Sequence, residues 1–167
     1  MERYVNTSKF GSLVGLIVLG AAFSSAACAR DASAEKDILF IEKALSAAKT
    51  ADPVEKYIDP GIVLYDLMPP TFNGIAAWRG QMAGLAAAFK NFKIEILKID
   101  IKADRELAVA NSEQHFTVLD EKGAAIAEST YRVTDCYHKV NGRWLLFSVH
   151  ESYPVDLATG KAVLNPK

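Results

Sequence analysis

The residues best suited to acid–base chemistry lie in the last third of the chain. Asp135 and His150 stand on two strand-like runs that flank Asn141–Gly142, a dipeptide typical of a type I′ hairpin turn. Counting back from this turn places Asp135 opposite Ser148, with His150 as a diagonal neighbour on the same face. A carboxylate close to a histidine orients the imidazole and raises its basicity. We therefore predict a catalytic pair; the alternative is a histidine whose hydrogen bonds are satisfied within a polar patch.

The same register collects more hydrogen-bonding side chains on the face of Asp135 and His150. They are Tyr131, Tyr137, Ser148 and Ser152. Each polar group left unpaired on a core-facing surface costs about 1–3 kcal/mol, so we expect these residues to line a ligand pocket. Arg132 falls opposite Glu151 on the other face, where the two are predicted to form an ion pair. Arg132 would face a ligand only if a bulge shifted the register.

Three further positions extend the predicted site. Asp66 is a carboxylate within a strand predicted for Ile62–Leu67, and burial would raise its pKa and make it a third catalytic candidate, a general base. A structural role as an acceptor for nearby backbone is the alternative. Tyr65, Trp78 and His115 are expected to contact the ligand, although Trp78 also suits the core. His115 can face either side, because the length of the turn at Glu121–Gly123 is uncertain and one residue flips the face.

Motifs for other chemistries are missing from the sequence. The three histidines form no H-x-x-x-H pair, and C-x-x-C, a glycine-rich phosphate loop and G-x-S-x-G do not occur. No metal and no cofactor are therefore expected. The 19 basic and 20 acidic residues give a net charge of -1 without long runs, which argues against nucleic acid as a partner.

The N-terminus is typical of an exported protein. Arg3 and Lys9 precede the apolar run Leu13–Phe23, which small residues follow, as in a secretory signal peptide. We predict a signal peptide over residues 1–29 and a periplasmic or secreted location; an uncleaved anchor is the alternative. Ser25–Cys28 also resembles a bacterial lipoprotein processing site. Only a lipidated Cys28 would tether the domain to a membrane.

The remaining pattern predicts an α+β domain over residues 30–159 and a C-terminal tail over residues 160–167. Its element order is α-α-β-α-β-β-β-β. The predicted elements are a helix over Glu35–Thr50, a short helix from Asp52 to Tyr57 ended by Asp59–Gly61, the strand Ile62–Leu67, a helix capped by Asn73, and four strands from Phe92 onward. Apolar residues change phase between Ile96 and Leu97, which indicates a β-bulge. We expect a curved antiparallel sheet wrapped around a long helix, a cone whose interior binds a ligand.

This order, together with five short motifs, resembles the nuclear-transport-factor-2-like superfamily and, within it, the SnoaL-like, ketosteroid-isomerase-related exported proteins of bacteria. The motifs are Tyr65–Pro70, Phe72–Arg79, Tyr131–Asp135, Asn141–Trp144 and His150–Pro154. The resemblance implies a cone-shaped domain with a pocket for a small apolar or aromatic ligand. Such domains often form homodimers through their outer sheet faces.

The resemblance does not imply a single activity. Members include isomerases, cyclases and dehydratases that work without a cofactor, and also non-catalytic ligand-binding or association modules. The ketosteroid isomerase trio of an early-helix tyrosine and two aspartates has no match here, since Glu35–Thr50 contains no tyrosine. An acid–base enzyme and a dimeric association module therefore both stay open.

Overall fold

The computed structural model describes residues 30–68 and 71–165, so the predicted signal peptide and Cys28 lie outside the described residues. The elements are α1 (Ala32–Ala47), a 3₁₀ turn (Glu55–Tyr57), β1 (Ile58–Tyr65), β2 (Phe72–Asn73), α2 (Ile75–Ala88), β3 (Phe92–Ala103), β4 (Leu107–Leu119), β5 (Ala125–Val140), β6 (Arg143–Ser152), β7 (Val155–Asp156) and β8 (Lys161–Ala162). None of the helices in this part of the chain is long and apolar enough to cross a membrane.

The N-terminal elements differ in detail from the prediction. α1 begins three residues earlier than expected, because the Asp31 carboxylate accepts hydrogen bonds from the backbone N–H groups of Ser33 and Ala34 and caps the helix. The predicted second helix is only the 3₁₀ turn. Asp59–Gly61 does not end a helix but lies within β1.

Six strands form one curved sheet in the order β2-β1-β6-β5-β4-β3. Most neighbours are antiparallel, but β1 runs parallel to β6, so the sheet is mixed rather than wholly antiparallel as predicted. α1 packs across β3 and β4, and α2 packs against β1 and β2. The concave side that the helices cover is called the inner face below, and the opposite side is the outer face. The core lies between the helices and the inner face.

The predicted bulge in β3 is confirmed. Ile96 pairs with Gln114 and Lys98 pairs with Glu113, so Leu97 is the extra residue. Leu97 is exposed, whereas Ile101, further along the strand, is buried. The bulge thus lets the apolar residues on both sides of it face inward, and it also bends the strand.

A second bulge, in β6, overturns the predicted hairpin register. Asn141 and Gly142 have φ values of 51° and 79°, as a type I′ turn requires, and Tyr137 pairs with Leu146 as predicted. Cys136, however, pairs with Ser148, so Phe147 is an extra residue and every later side chain of β6 changes face.

The physical reason for this bulge is apolar burial. Leu146 and Val149 are both almost fully buried, which an unbroken alternation would not allow because the two residues are an odd number of positions apart. Burying a valine side chain contributes about 1.5–3 kcal/mol. Phe147 instead packs its ring against His138 on the outer face, with ring centroids 5.0 Å apart.

The C-terminal residues form a small hairpin of β7 and β8, which extends into the stretch predicted as a tail. The backbone N–H of Thr130 donates to the carbonyl oxygen of Leu164 at 2.6 Å, and this bond ties the segment to β5. The Ser129 and Tyr153 hydroxyls hydrogen bond at 3.0 Å just before the hairpin.

Candidate functional site

The β6 bulge removes the predicted Asp135/His150 pair. Asp135 pairs with Val149 and lies on the inner face, whereas His150 pairs with Thr134 and is exposed on the outer face. The His150 ring contacts the exposed ring of Tyr65, with centroids 6.0 Å apart. The prediction that Asp135 and His150 share one face is therefore wrong.

Four other predicted ligand contacts also lie on the outer face. They are His115, Arg132, Ser148 and Ser152. Arg132 is exposed and pairs with Ser152, so the predicted pairing with Glu151 is wrong for the same one-residue reason. His115 contacts the Thr130 hydroxyl at 2.9 Å and the Glu128 carboxylate at 3.6 Å. Trp78 is buried in the core on α2.

The inner face nevertheless carries a dense set of polar side chains. Tyr131, Asp135 and Tyr137 of β5 are the predicted residues that lie there. They are joined by side chains that the sequence reasoning did not place in the pocket, namely Glu42 of α1, Ser112 and Gln114 of β4, Glu151 of β6 and Tyr153. Asp66 and its partner Gln81 lie at the rim, where the Gln81 amide donates to the Asp66 carboxylate.

The deepest part of this set is a cluster of Glu42, Asp135 and Tyr137. Their exposed fractions are 2%, 6% and 0%. The Tyr137 hydroxyl donates to Glu42 Oε1 at 2.8 Å. Burial raises the pKa of Asp135 well above its usual value, and the neighbouring Glu42 carboxylate raises it further. Burial also raises the pKa of Glu42, and hydrogen bonds from Tyr137 and Asp135 oppose that rise.

Two carboxyl groups at this depth cannot both ionise at neutral pH without a large electrostatic cost. Asp135 therefore holds a proton and donates it to the Glu42 carboxylate, which also accepts from Tyr137. Asp135 Oδ1 remains buried without a hydrogen-bond partner among the described residues. The cluster thus presents an unused acceptor atom to the interior.

Glu151 lies nearer the rim and is only half-buried. Burial raises its pKa to about 7, the nearby Asp66 carboxylate contributes to the rise, and a hydrogen bond from the Leu67 backbone opposes it. In the observed register Glu151 faces Val133, so Tyr131 and Asp135 are its diagonal neighbours on the same face. The outcome is a carboxyl group that exchanges its proton near neutral pH.

Two tyrosines stand beside Glu151. The rings of Tyr131 and Tyr153 meet edge to face with centroids 6.3 Å apart. The Tyr131 hydroxyl donates to Gln114 Oε1 at 3.3 Å, and the Gln114 amide donates to Ser112 at 3.0 Å. Burial and then the charges of Glu151, Tyr153, Asp135 and Asp66 raise the pKa of Tyr131, so its hydroxyl stays protonated.

Two clefts recorded on the surface lie away from this inner-face set. One of about 350 Å³ lies between α1 and β3, beside Arg30, Leu39 and Ile99. The other, of about 210 Å³, lies between the end of α1 and α2, where Arg79 forms ion pairs with Asp52 and Glu55. Among residues 30–68 and 71–165, no group of three or more His, Cys, Asp or Glu is arranged to hold a metal ion.

Two missed residues had signals in the sequence. Glu42 interrupts the buried stripe of α1, four residues after Ile38 and next to Ile41, so its side chain must enter the core. Glu151 has a weaker signal: once Leu146 and Val149 are both known to be buried, the strand must change phase between them.

Comparisons with known proteins agree with this architecture. The model of the SnoaL-like domain family matches residues 40–156. An NTF2-like protein of unknown function from Pseudomonas putida KT2440 is 22% identical, with a TM-score of 0.71 over 83% of this chain and 99% of that chain. The association domain of C. elegans CaMKII is 18% identical, with a TM-score of 0.58 over 72% and 95% of the respective chains.

A protein of the NTF2-like family from Streptomyces avermitilis, whose assignment as a dehydratase is itself a proposal, is 11% identical with a TM-score of 0.63. The match covers 74% of this chain and 99% of that one. No curated protein matches the chain significantly. These structural neighbours share the fold, and the family match extends over more than half of the sequence. This chain therefore belongs to the SnoaL-like domain family.

Proposed function

We propose that this protein is exported, and that it binds a small, largely apolar molecule against the inner face of its cone and transfers a proton through Glu151. The reaction class is that of a cofactor-independent isomerase or lyase. The observation that carries the proposal is a half-buried carboxyl group on a concave, aromatic-lined surface, where burial raises its pKa to about 7. A general base is most effective when its pKa lies near the working pH.

The neighbours of Glu151 support this role. Asp66 disfavours the charged form of Glu151 and so keeps the group ready to accept a proton. Tyr131 and Tyr153 supply apolar ring surface for the ligand and hydroxyl groups that can orient it. Asp135 lies on the same face, as a protonated partner of Glu42 rather than of His150.

A model substrate tests the proposal directly. In 5-nitrobenzisoxazole, a neutral aromatic compound, a base removes the proton on C3 while the N–O bond breaks and a coloured phenolate forms. We expect the protein to accelerate this reaction, with a rate that rises with pH through about 7 as Glu151 ionises. Glu151→Gln should abolish the acceleration because the amide cannot accept the proton.

Glu113→Gln is the matched control, since Glu113 is an exposed carboxylate on the outer face. It should leave the rate unchanged. Equal rates for the wild type and Glu151→Gln would overturn the proposal. A Glu151 carboxyl group that titrates near 4.5 by NMR, the usual value for glutamate, would overturn it as well.

Association is a second candidate function. Two of the structural neighbours are association domains, from C. elegans CaMKII and from Xanthomonas campestris, the latter assigned by proposal. On this reading the outer face pairs with a second copy of the chain and the inner face has no ligand. A variant that no longer self-associates but still transfers protons at the wild-type rate would separate this role from the first.

A further inference from the structure

The charges of the inner face are all negative among the described residues. Glu42, Asp66, Asp135 and Glu151 supply carboxyl groups, and every group that perturbs the pKa values of Glu42, Asp135 and Glu151 is an acid, a phenol, a thiol or a backbone N–H. The cations close to these carboxyl groups in the sequence do not face them. Lys43, next to Glu42, is exposed. Arg132 is exposed on the outer face, and Arg79 is paired with Asp52 and Glu55.

A cation at the α1 end is also engaged elsewhere. Lys49 Nζ donates to the carbonyl oxygen of Phe92 at 2.5 Å and lies 4.0 Å from the centroid of the Phe92 ring. Phe92 pairs with Val118 at the far end of β4, away from Ala110, which pairs with Asp135. The inner-face carboxyl groups therefore have no internal counter-ion in the described parts of the chain.

An independent observation indicates that a hydrogen-bond donor is missing. Asp135 is 6% exposed and its Oδ1 has no partner in the described residues, although a buried acceptor without a donor is costly. A protonated carboxyl group that donates one hydrogen bond, here to Glu42, still has one oxygen that can only accept. The same surface offers the paired rings of Tyr131 and Tyr153, and aromatic faces attract ammonium groups.

We propose that the ligand of this site is an amine that is positively charged at neutral pH and attached to a small apolar or aromatic body. This proposal rests on the pocket proposed above and specifies what it takes. A cation beside Glu151 and Asp66 would relieve the repulsion between their carboxylates, and its N–H groups match the accepting oxygen of the Asp135 carboxyl group. A carboxylate or phosphate ligand would add to that repulsion.

Three compounds of similar shape and different charge test the inference. They are benzylamine, which is cationic, benzyl alcohol, which is neutral, and benzoate, which is anionic. Binding is measured by NMR titration, with the shifted amide signals mapped on the structure. We expect benzylamine to bind about tenfold more tightly than benzyl alcohol, which corresponds to about 1.4 kcal/mol, and benzoate to bind most weakly.

Two variants locate the preference. Glu151→Gln and, separately, Asp66→Asn should each reduce the ratio of benzylamine to benzyl alcohol affinity towards one, while Glu113→Gln should preserve it. Equal affinities for the amine and the alcohol would overturn the charge preference and leave the apolar pocket standing. Benzylamine signals confined to the outer face would also overturn it. If none of the three compounds perturbs the inner face, the proposed pocket itself fails.

Discussion

Glu151 combines the two properties that a proton-transfer group needs, partial access and a shifted pKa. Its neighbour Asp66 and its burial both favour the protonated form, whereas the deeper pair of Glu42 and Asp135 shares a proton out of reach of solvent. On this surface Glu151 at the rim is the proposed proton-transfer group, and the more deeply buried pair of Glu42 and Asp135 has a structural role. The division follows from depth, because desolvation increases with burial.

The shifted pKa makes stability depend on pH in a defined direction. The folded state holds the Glu151 proton up to about pH 7, whereas the unfolded chain releases it near 4.5, so stability is fully present below 4.5 and declines as pH rises through 7. We expect a loss on the order of 3 kcal/mol across this window in the wild type relative to Glu151→Gln. Urea unfolding at a series of pH values measures it.

The same comparison with Glu113→Gln provides the reference, because this exposed glutamate should follow the wild-type curve. Parallel pH profiles for the wild type and Glu151→Gln would show that Glu151 ionises normally in the folded protein.

At the scale of the strand, the β6 bulge decides which side chains reach the interior. Phe147 is the extra residue of the bulge. Val149 and Glu151 therefore face inward, and Ser148 and His150 face outward. Bulges beside functional sites commonly redirect side chains in this way. Here the one extra residue places Glu151, rather than His150, on the inner face of the sheet.

Deletion of Phe147 tests whether it is the extra residue. Its removal should leave an unbroken ladder in which Ser148 still pairs with Cys136, so Val149 and Glu151 still face inward. We expect the deletion to destabilise the protein by no more than about 1 kcal/mol beyond Phe147→Ala, because both variants lose the same ring contact with His138. Denaturant unfolding compares them, and a much larger loss of stability in the deletion variant would contradict this assignment of the bulge.

For the molecule as a whole, the outer face of the sheet is the expected contact with a second copy. Leu107, Val109 and Val140 are partly exposed there, on neighbouring strands β4 and β5. An isologous interface across this face would cover these side chains on both protomers at once. The inner face would stay available to a ligand in such a dimer.

We expect light scattering at micromolar concentration to give the mass of a dimer, and Val109→Lys to shift it to the monomer because a charge on each copy would be buried. Leu157→Lys is the control, since Leu157 is 96% exposed on the C-terminal hairpin. A monomer mass for the wild type, or a dimer that persists in Val109→Lys, would contradict this interface.

Export is the second prediction for the whole molecule. If residues 1–29 act as a leader, the native protein should begin between Cys28 and Glu35, which mass spectrometry of the mature chain can measure. A diacylglycerol-modified Cys28 would establish membrane tethering. An intact Met1 in the exported fraction would contradict export with cleavage.

Local features of this protein follow from its sequence alone. Asn141–Gly142 predicts the hairpin turn because few dipeptides adopt two positive φ values, and the phase change at Leu97 predicts the β3 bulge because polar residues separate the apolar positions. The element order and the family resemblance likewise come from the sequence. Each of these signals is carried by residues close together in the chain.

The tertiary structure alone decided the site. Trp144–Val149 is nearly all apolar, so the sequence pattern does not show which of its residues face inward. The polar residues Ser148 and His150 suggested the wrong assignment of faces. Burial of Val149 against the helices decided between the two phases, and that contact is invisible to local pattern. The meeting of Glu42 with Tyr137 across 95 positions of chain likewise depends on how α1 crosses the sheet.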